Sequence, residues 1–197
     1  MASIAVSSNV PQARIASSIR KSQQGMPPFI IDPGGESDSR ALKLSTCTGQ
    51  HIRNERFIEK APATLLASLE IDRKSNPAAL RVSDPTATYN CMGLVFGSRR
   101  TCIDISELTF ILKEDSYERV SKPGDVKTGD VVIYCKGGKP QHVGLVHTIS
   151  PECSSGTFKT TVVSKWGYHA EYVHDIHDVP ESYGSPQFFW THRKAAL

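Results

Sequence analysis

The chain has 197 residues, of which 39% are hydrophobic and 22% are charged, and its formal net charge is +3. This length and composition are sufficient for one globular domain with a hydrophobic core and an additional tail. The sequence has no run of about 18 to 20 apolar residues, so we expect no membrane insertion. The small and dispersed positive charge also argues against a nucleic-acid partner.

Residues 1–45 are predicted to form a disordered N-terminal tail, which precedes one domain over residues 46–197. Ser, Ala, Gln, Pro and Gly predominate up to about Arg40, and no acidic residue occurs before Asp32. Such a composition is typical of organelle transit peptides, of the leaders of exported bacterial effectors and of plain disordered termini. A Sec-type signal peptide is not expected, because both a basic start and a continuous apolar segment are missing. The predicted location is the cytoplasm, or export without a Sec signal.

Two segments predict short helices on either side of the centre of the chain. Between Asn54 and Leu69 apolar residues recur at helical spacing, but Ala61-Pro62 interrupts the pattern. We therefore expect one helix or two short ones in this segment. A further short helix is indicated by the spacing of Leu108, Ile111 and Leu112.

A turn at residues 84–88 is followed by a predicted helix that has Thr88 or Asn90 as its N-cap, carries Cys91 in its first turn and ends near Arg99. A thiol in the first helical turn lies close to oriented backbone N–H groups and to the positive end of the helix dipole, and both favour the thiolate. The same N–H groups are suited to an oxyanion hole. Cys91 is therefore the predicted nucleophile.

The C-terminal half predicts an antiparallel meander, because apolar β-branched segments alternate with glycine-containing turns. Strands are expected at residues 131–135, 142–149, 158–166 and about 186–191. His142 opens the second of these strands, where an imidazole can face a cleft. The predicted fold class is α+β, with the helix that carries Cys91 packed on a small antiparallel sheet.

The remaining cysteines and histidines do not predict a metal site or a disulfide framework. The five cysteines form an odd set without a CxxC pair, and we expect most to be ordinary thiols. His174 and His177 alternate with carboxylates, but their spacing fits neither a zinc helix nor a zinc finger. No cofactor is predicted.

Three segments together resemble the NlpC-type and CHAP-type papain-fold peptidases and amidases. They are Asn90-Cys91-Met92-Gly93, Gly129-Asp130-Val131-Val132 and His142-Val143-Gly144-Leu145. The resemblance implies a papain-like fold, with Cys91 as nucleophile and His142 as base, in a bacterial branch outside the well-studied wall hydrolases. It also implies a polar orienting residue on the strand after His142. Ser164 stands there, and Lys165 and His174 remain alternatives.

The sequence therefore predicts a thiol hydrolase that cleaves a peptide or amide bond. Its expected partner is a peptide or protein substrate, either bacterial wall peptide or the protein target of an exported effector. A deamidase, transglutaminase or acyltransferase on the same fold is a second hypothesis. A non-catalytic binding module with a degenerate site is a third. The oligomeric state is left open.

Overall fold

A computed structural model describes residues 41–151 and 158–192. Its described part is α+β, and most of its strands belong to one antiparallel sheet. The helices are α1 (Pro62–Ser75), α2 (Cys91–Phe96) and α3 (Leu108–Glu114). A small two-stranded sheet pairs β1 (Asn54–Glu55) with β3 (Cys102–Ile103).

The large sheet has seven described strands. In spatial order they are β2 (Leu80–Arg81), β8 (Glu171–Asp175), β7 (Phe158–Lys165), β6 (Lys139–Pro151), β5 (Val131–Lys136), β9 (Ser185–Thr191) and β4 (Glu118–Arg119). The predicted meander is confirmed in β5, β6 and β7. The last strand returns to pair with β5 instead of extending the meander.

Side-chain alternation gives the sheet two distinct faces. Val131, Ile133 and Val143 point to one face, where α2 and α3 cover them in the largest hydrophobic cluster. We call this the Ile133 face. Val132, Tyr134 and Val162 point to the other face, which we call the Tyr134 face. Between the irregularities in the pairing of β6, the register assigns residues 142–146 of β6 and 162–165 of β7 to one or the other of these faces.

The predicted helix at residues 54–69 is wrong in its bounds. Asn54–Glu55 is a strand, and α1 begins only at Pro62. Proline starts the helix instead of interrupting it, because the first helical N–H has no intrahelical partner and the fixed φ of proline suits that position.

The predicted helix at residues 91–99 ends earlier than expected, at Phe96. Gly97 caps it, and the next two residues, Ser98 and Arg99, have left-handed φ values of 49° and 62°. Such values terminate a right-handed helix. The predicted place of Cys91 in the first turn is confirmed, with Asn90 as the N-cap, and so is the predicted helix around Leu108.

The domain is hydrogen-bonded from Leu42 onward, because the Leu42 N–H donates to Asn54 Oδ1 at 2.9 Å and Ser45 forms a β-bridge with His51. Residues 1–40 of the predicted tail lie outside the described residues, as does Cys153. None of the helices described is long and apolar enough to cross a membrane.

Candidate functional site

Cys91 is the first residue of α2, and Asn90 is its N-cap. The Asn90 side-chain oxygen accepts hydrogen bonds from the Gly93 N–H at 2.9 Å and from the Ile103 N–H at 3.2 Å. Its amide donates to the Ile103 carbonyl at 2.8 Å. One polar side chain therefore caps the helix and ties it to β3, which holds the thiol in place.

The surroundings of Cys91 act on the thiol in opposite directions. The side chain is half-buried and packs against the cluster on the Ile133 face. Burial raises the pKa of the thiol, and the backbone N–H groups of Val143, Met92 and Cys91 itself lower it by hydrogen bonding to the sulfur. Burial is the larger effect, so the net pKa is raised.

His142 is almost fully enclosed, with 1% of its surface exposed. It is the cross-strand partner of Tyr134, and its ring therefore lies on the Tyr134 face. The ring stacks on Tyr183, with 3.9 Å between centroids and 4° between planes. Its Nε2 atom is buried without a hydrogen-bond partner. Burial, and then the nearby His174, lower the pKa of His142 well below its ordinary value.

Cys91 and His142 are neighbours through the backbone but not through their side chains. Cys91 packs against the hydrophobic cluster that contains Val143, the residue after His142. The two side chains lie on opposite faces of the sheet, and no hydrogen bond joins them. The structure thus packs α2 near β6 with the imidazole turned away from the thiol, and β6 begins at Lys139, three residues before the start predicted at His142.

Ser164, the predicted orienting residue, lies on the Tyr134 face and contacts a different imidazole. Its Oγ is 2.8 Å from His174 Nε2, and the Trp166 indole N–H donates to it at 3.0 Å. The His174 Nδ1 faces the Asp175 carbonyl at 2.7 Å, so this nitrogen carries the proton. Ser164 therefore donates to Nε2. Hydrogen bonds link Trp166, Ser164, His174 and Asp175 in series, and both ring nitrogens of a neutral His174 have a partner.

Buried charged residues at the ends of β7 and β8 are a feature that the sequence analysis missed. Lys165 and Glu171 are cross-strand partners, and 0% and 4% of their surfaces are exposed. The Glu171 carboxylate accepts from the Tyr89 hydroxyl at 2.6 Å and from Arg99 Nε at 2.6 Å. The Glu171 carboxylate therefore bonds to one residue before α2 and to one residue after it. Burial disfavours the charge of Glu171, yet Arg99 and Tyr89 hold its pKa below the ordinary value.

A second missed group surrounds Asp72 on α1. Its carboxylate is 2.8 Å from His169 Nδ1 and accepts from the Tyr172 hydroxyl at 2.7 Å. Asp72 is 5% exposed, so the two bonds compensate the burial of a charge. No local sequence pattern indicates this group, because Asp72 lies about a hundred positions before His169 and Tyr172.

Within residues 41–151 and 158–192 no group of three His, Cys, Asp or Glu side chains is arranged to hold a metal ion. The fold and the site define an α+β protein with a thiol at a helix start, beside a strand that carries a buried imidazole. No family model matches the sequence, and neither a curated protein nor a solved structure matches it.

The two buried histidines predict a loss of stability in mild acid. Burial lowers the pKa of both His142 and His174 in the folded state, whereas the unfolded chain takes up protons near pH 6.5. The unfolded state therefore binds more protons below pH 6.5, and each histidine removes up to about 1.4 kcal/mol of stability per pH unit there. Glu171 acts only below about pH 4.5, so it does not contribute to this window.

Urea unfolding at pH 7.5 and pH 5.5 measures this effect. We expect the free energy of unfolding to be about 1 to 3 kcal/mol lower at pH 5.5. Equal values at the two pH values would show that neither imidazole is held neutral.

Proposed function

We propose that this protein is a thiol hydrolase with a papain-like fold, and that it cleaves a peptide or amide bond with Cys91 as nucleophile and His142 as base. One observation carries the proposal, namely the packing of the helix-start thiol against the cluster that contains Val143, the residue after His142. This packing joins the helix that begins at Cys91 to the strand that carries the imidazole. The backbone N–H groups near the sulfur act to lower the pKa of the thiol, against the larger effect of burial.

A second observation supports the role of His142. A buried polar atom without a partner costs about 1 to 3 kcal/mol, and such atoms are uncommon in folded proteins. His142 Nε2 is such an atom, and the described residues include two others, the Tyr134 hydroxyl and the Trp190 indole nitrogen. A catalytic base that changes partners during a reaction gives a reason for this cost, whereas a purely structural ring at this position would be better served by phenylalanine.

The proposed reaction has two halves. Cys91 Sγ attacks the substrate carbonyl carbon, the thiol proton passes to His142, and the backbone N–H groups at the start of α2 stabilise the oxyanion. The C–N bond breaks, and the protonated imidazole gives its proton to the leaving amine. Water then hydrolyses the thioester and regenerates the thiol. On this route the His142 ring must leave its stack on Tyr183, and the backbone of β6 must rearrange around His142, because side-chain rotation alone keeps the ring on the Tyr134 face.

The test is acyl transfer from p-nitrophenyl acetate, which needs no knowledge of the natural substrate. We expect steady release of p-nitrophenolate and an acetyl group on Cys91 in the mass spectrum. Cys91→Ala should reduce the release to that of buffer, and the control Cys47→Ala, at an exposed thiol, should leave it unchanged. Release that survives Cys91→Ala would contradict the proposal.

The kind of bond is tested with casein and with purified wall muropeptides as substrates. Peptide or amide hydrolysis adds one water to the cleaved products. A gain of about one dalton on glutamine, without cleavage, would instead identify a deamidase on the same site.

A non-catalytic binding module is the second candidate, and a specific observation favours it. The imidazole and the thiol lie on opposite faces of the sheet. In addition, two clefts on the described surface are lined by other residues, one by Tyr117 and His192 and one by Val126 and Phe189. A wild-type protein that never acquires an acetyl group on Cys91 would support this candidate.

A further inference from the structure

The side chain of Lys165 ends in a pocket of backbone oxygens. Its Nζ donates to three carbonyl oxygens, those of Thr86 at 2.9 Å, Gly167 at 2.9 Å and His169 at 2.5 Å. An ammonium group has three N–H donors and no acceptor, so these oxygens use its full hydrogen-bonding capacity. We call the three oxygens the carbonyl cage.

The carbonyl cage is closed to solvent and suited to a positive charge. The exposed fraction of Lys165 is 0%. The Tyr89 ring lies over the ammonium, with 5.2 Å between Nζ and the ring centre, which is within the range of a cation–π contact. Burial lowers the pKa of Lys165 to about 8, so most molecules still carry the charge at pH 7. Carbonyl dipoles and an aromatic ring thus surround the ammonium.

The cage joins two turns that are remote in sequence. Thr86 lies in the turn before α2, whereas Gly167 and His169 lie in the turn between β7 and β8. The Thr86 N–H also donates to the His169 carbonyl at 3.2 Å. The helix α1 is attached at the same place, because its Asp72 carboxylate lies 2.8 Å from His169 Nδ1. The ammonium is therefore a donor at a junction of α1, the chain before α2 and the end of the sheet.

We infer that the carbonyl cage is a binding site for a primary ammonium ion, which the folded chain fills with its own Lys165 side chain. The site selects its ligand by geometry, because three converging oxygens accept three N–H bonds. The apolar stem of the lysine only delivers the ammonium to them. A free alkylammonium ion of the same length therefore binds the cage when the side chain is shortened. The inference does not depend on the proposed roles of Cys91 and His142.

Lys165→Ala tests the site, because it removes three carbons and one nitrogen, the heavy atoms of propylammonium. In urea unfolding at pH 7 we expect a lower midpoint than in the wild type, since the cage has lost its donors. Propylammonium chloride should restore about half of this loss or more, relative to the wild type in the same solution, and the gain should rise with its concentration. An equal gain with KCl or n-propanol at the same concentration would overturn the inference.

Lys165→Met is the matched variant, because it also removes the charge but fills the space that propylammonium needs. We expect propylammonium to give it no gain beyond that of the wild type. Lys136→Ala removes a lysine whose side chain is more than half exposed, and it should change the midpoint little and show no such gain. Equal gains in Lys165→Ala and Lys165→Met would indicate a general effect of the salt and would also overturn the inference.

The wild-type protein decides the matter if Lys165→Ala does not fold even with propylammonium. ¹H–¹⁵N NMR at pH 6.5 detects lysine ammonium groups whose protons exchange slowly with water. We expect such a signal for Lys165, assigned through its own aliphatic side chain, because all three of its N–H groups are bonded and enclosed. Exchange of the Lys165 ammonium as fast as that of the exposed Lys136 would overturn the inference.

Discussion

Gly93→Ala is expected to remove about 3 kcal/mol or more of the free energy of unfolding. A Cβ atom at this position would lie 1.9 Å from the Thr101 carbonyl oxygen and 3.0 Å from the Tyr89 Cβ. The closest atom belongs to the backbone and cannot rotate away, so α2 would have to move off the chain that leads into β3. Urea unfolding at pH 7.5 measures the loss.

The control for this variant is Gly124→Ala. No heavy atom lies within 4 Å of the Cβ that it would add, and Gly124 has no left-handed φ. We expect a change of no more than about 0.5 kcal/mol, as for most surface substitutions. Wild-type stability in Gly93→Ala would mean that α2 does not pack against Thr101. In that case Cys91 would also lie elsewhere.

His142→Phe is expected to stabilise the fold by about 1 to 2 kcal/mol and to abolish acyl transfer. The phenyl ring retains the stack on Tyr183 and the packing beside Tyr134. It also removes the buried Nε2 that has no partner. Urea unfolding at pH 7.5 and p-nitrophenyl acetate turnover measure the two effects separately.

His174→Phe is the matched variant, and its effect on stability has the opposite sign. His174 bonds Ser164 through Nε2 and the Asp175 carbonyl through Nδ1. Phenylalanine removes both of these bonds and leaves the Ser164 hydroxyl with only the bond that it accepts from the Trp166 indole, which costs about 2 to 3 kcal/mol. If His142→Phe also destabilised the protein, Nε2 would have a partner in solution, and the argument for a mobile base would lose its support.

The start of α2 and the central strands could be predicted from the sequence because their signals are local. Asn90 is a good N-cap after a turn, and a continuous apolar run rich in β-branched residues follows Gly129-Asp130. The side of the sheet that His142 faces could not be predicted in this way. Alternation shows only that His142 and Val143 point in opposite directions, and the packing of α2 decides which of them faces the thiol.

The hydrogen bond between Ser164 and His174 could not be predicted, because His174 lies on β8, a strand that the sequence analysis did not predict. The segment Glu171–Asp175 is short, and two of its five residues are acidic, a pattern typical of a loop. Once it pairs with β7, His174 stands opposite Val162 and bonds to Ser164. The burial of Lys165 and Glu171 has the same origin, because charged residues at strand ends are usually exposed and only this pairing encloses them.

The outermost described strands of the large sheet, β2 and β4, have two residues each. Both carry an arginine, and β4 adds a glutamate. A short, charged border offers few free N–H and C=O groups to a neighbouring molecule, so it hinders edge-to-edge pairing between sheets of different copies. Deleting residues 80–82 would uncover β8, whose longer edge includes the apolar Val173. Such a truncated protein should therefore be more prone to form intermolecular β-structure than the full chain.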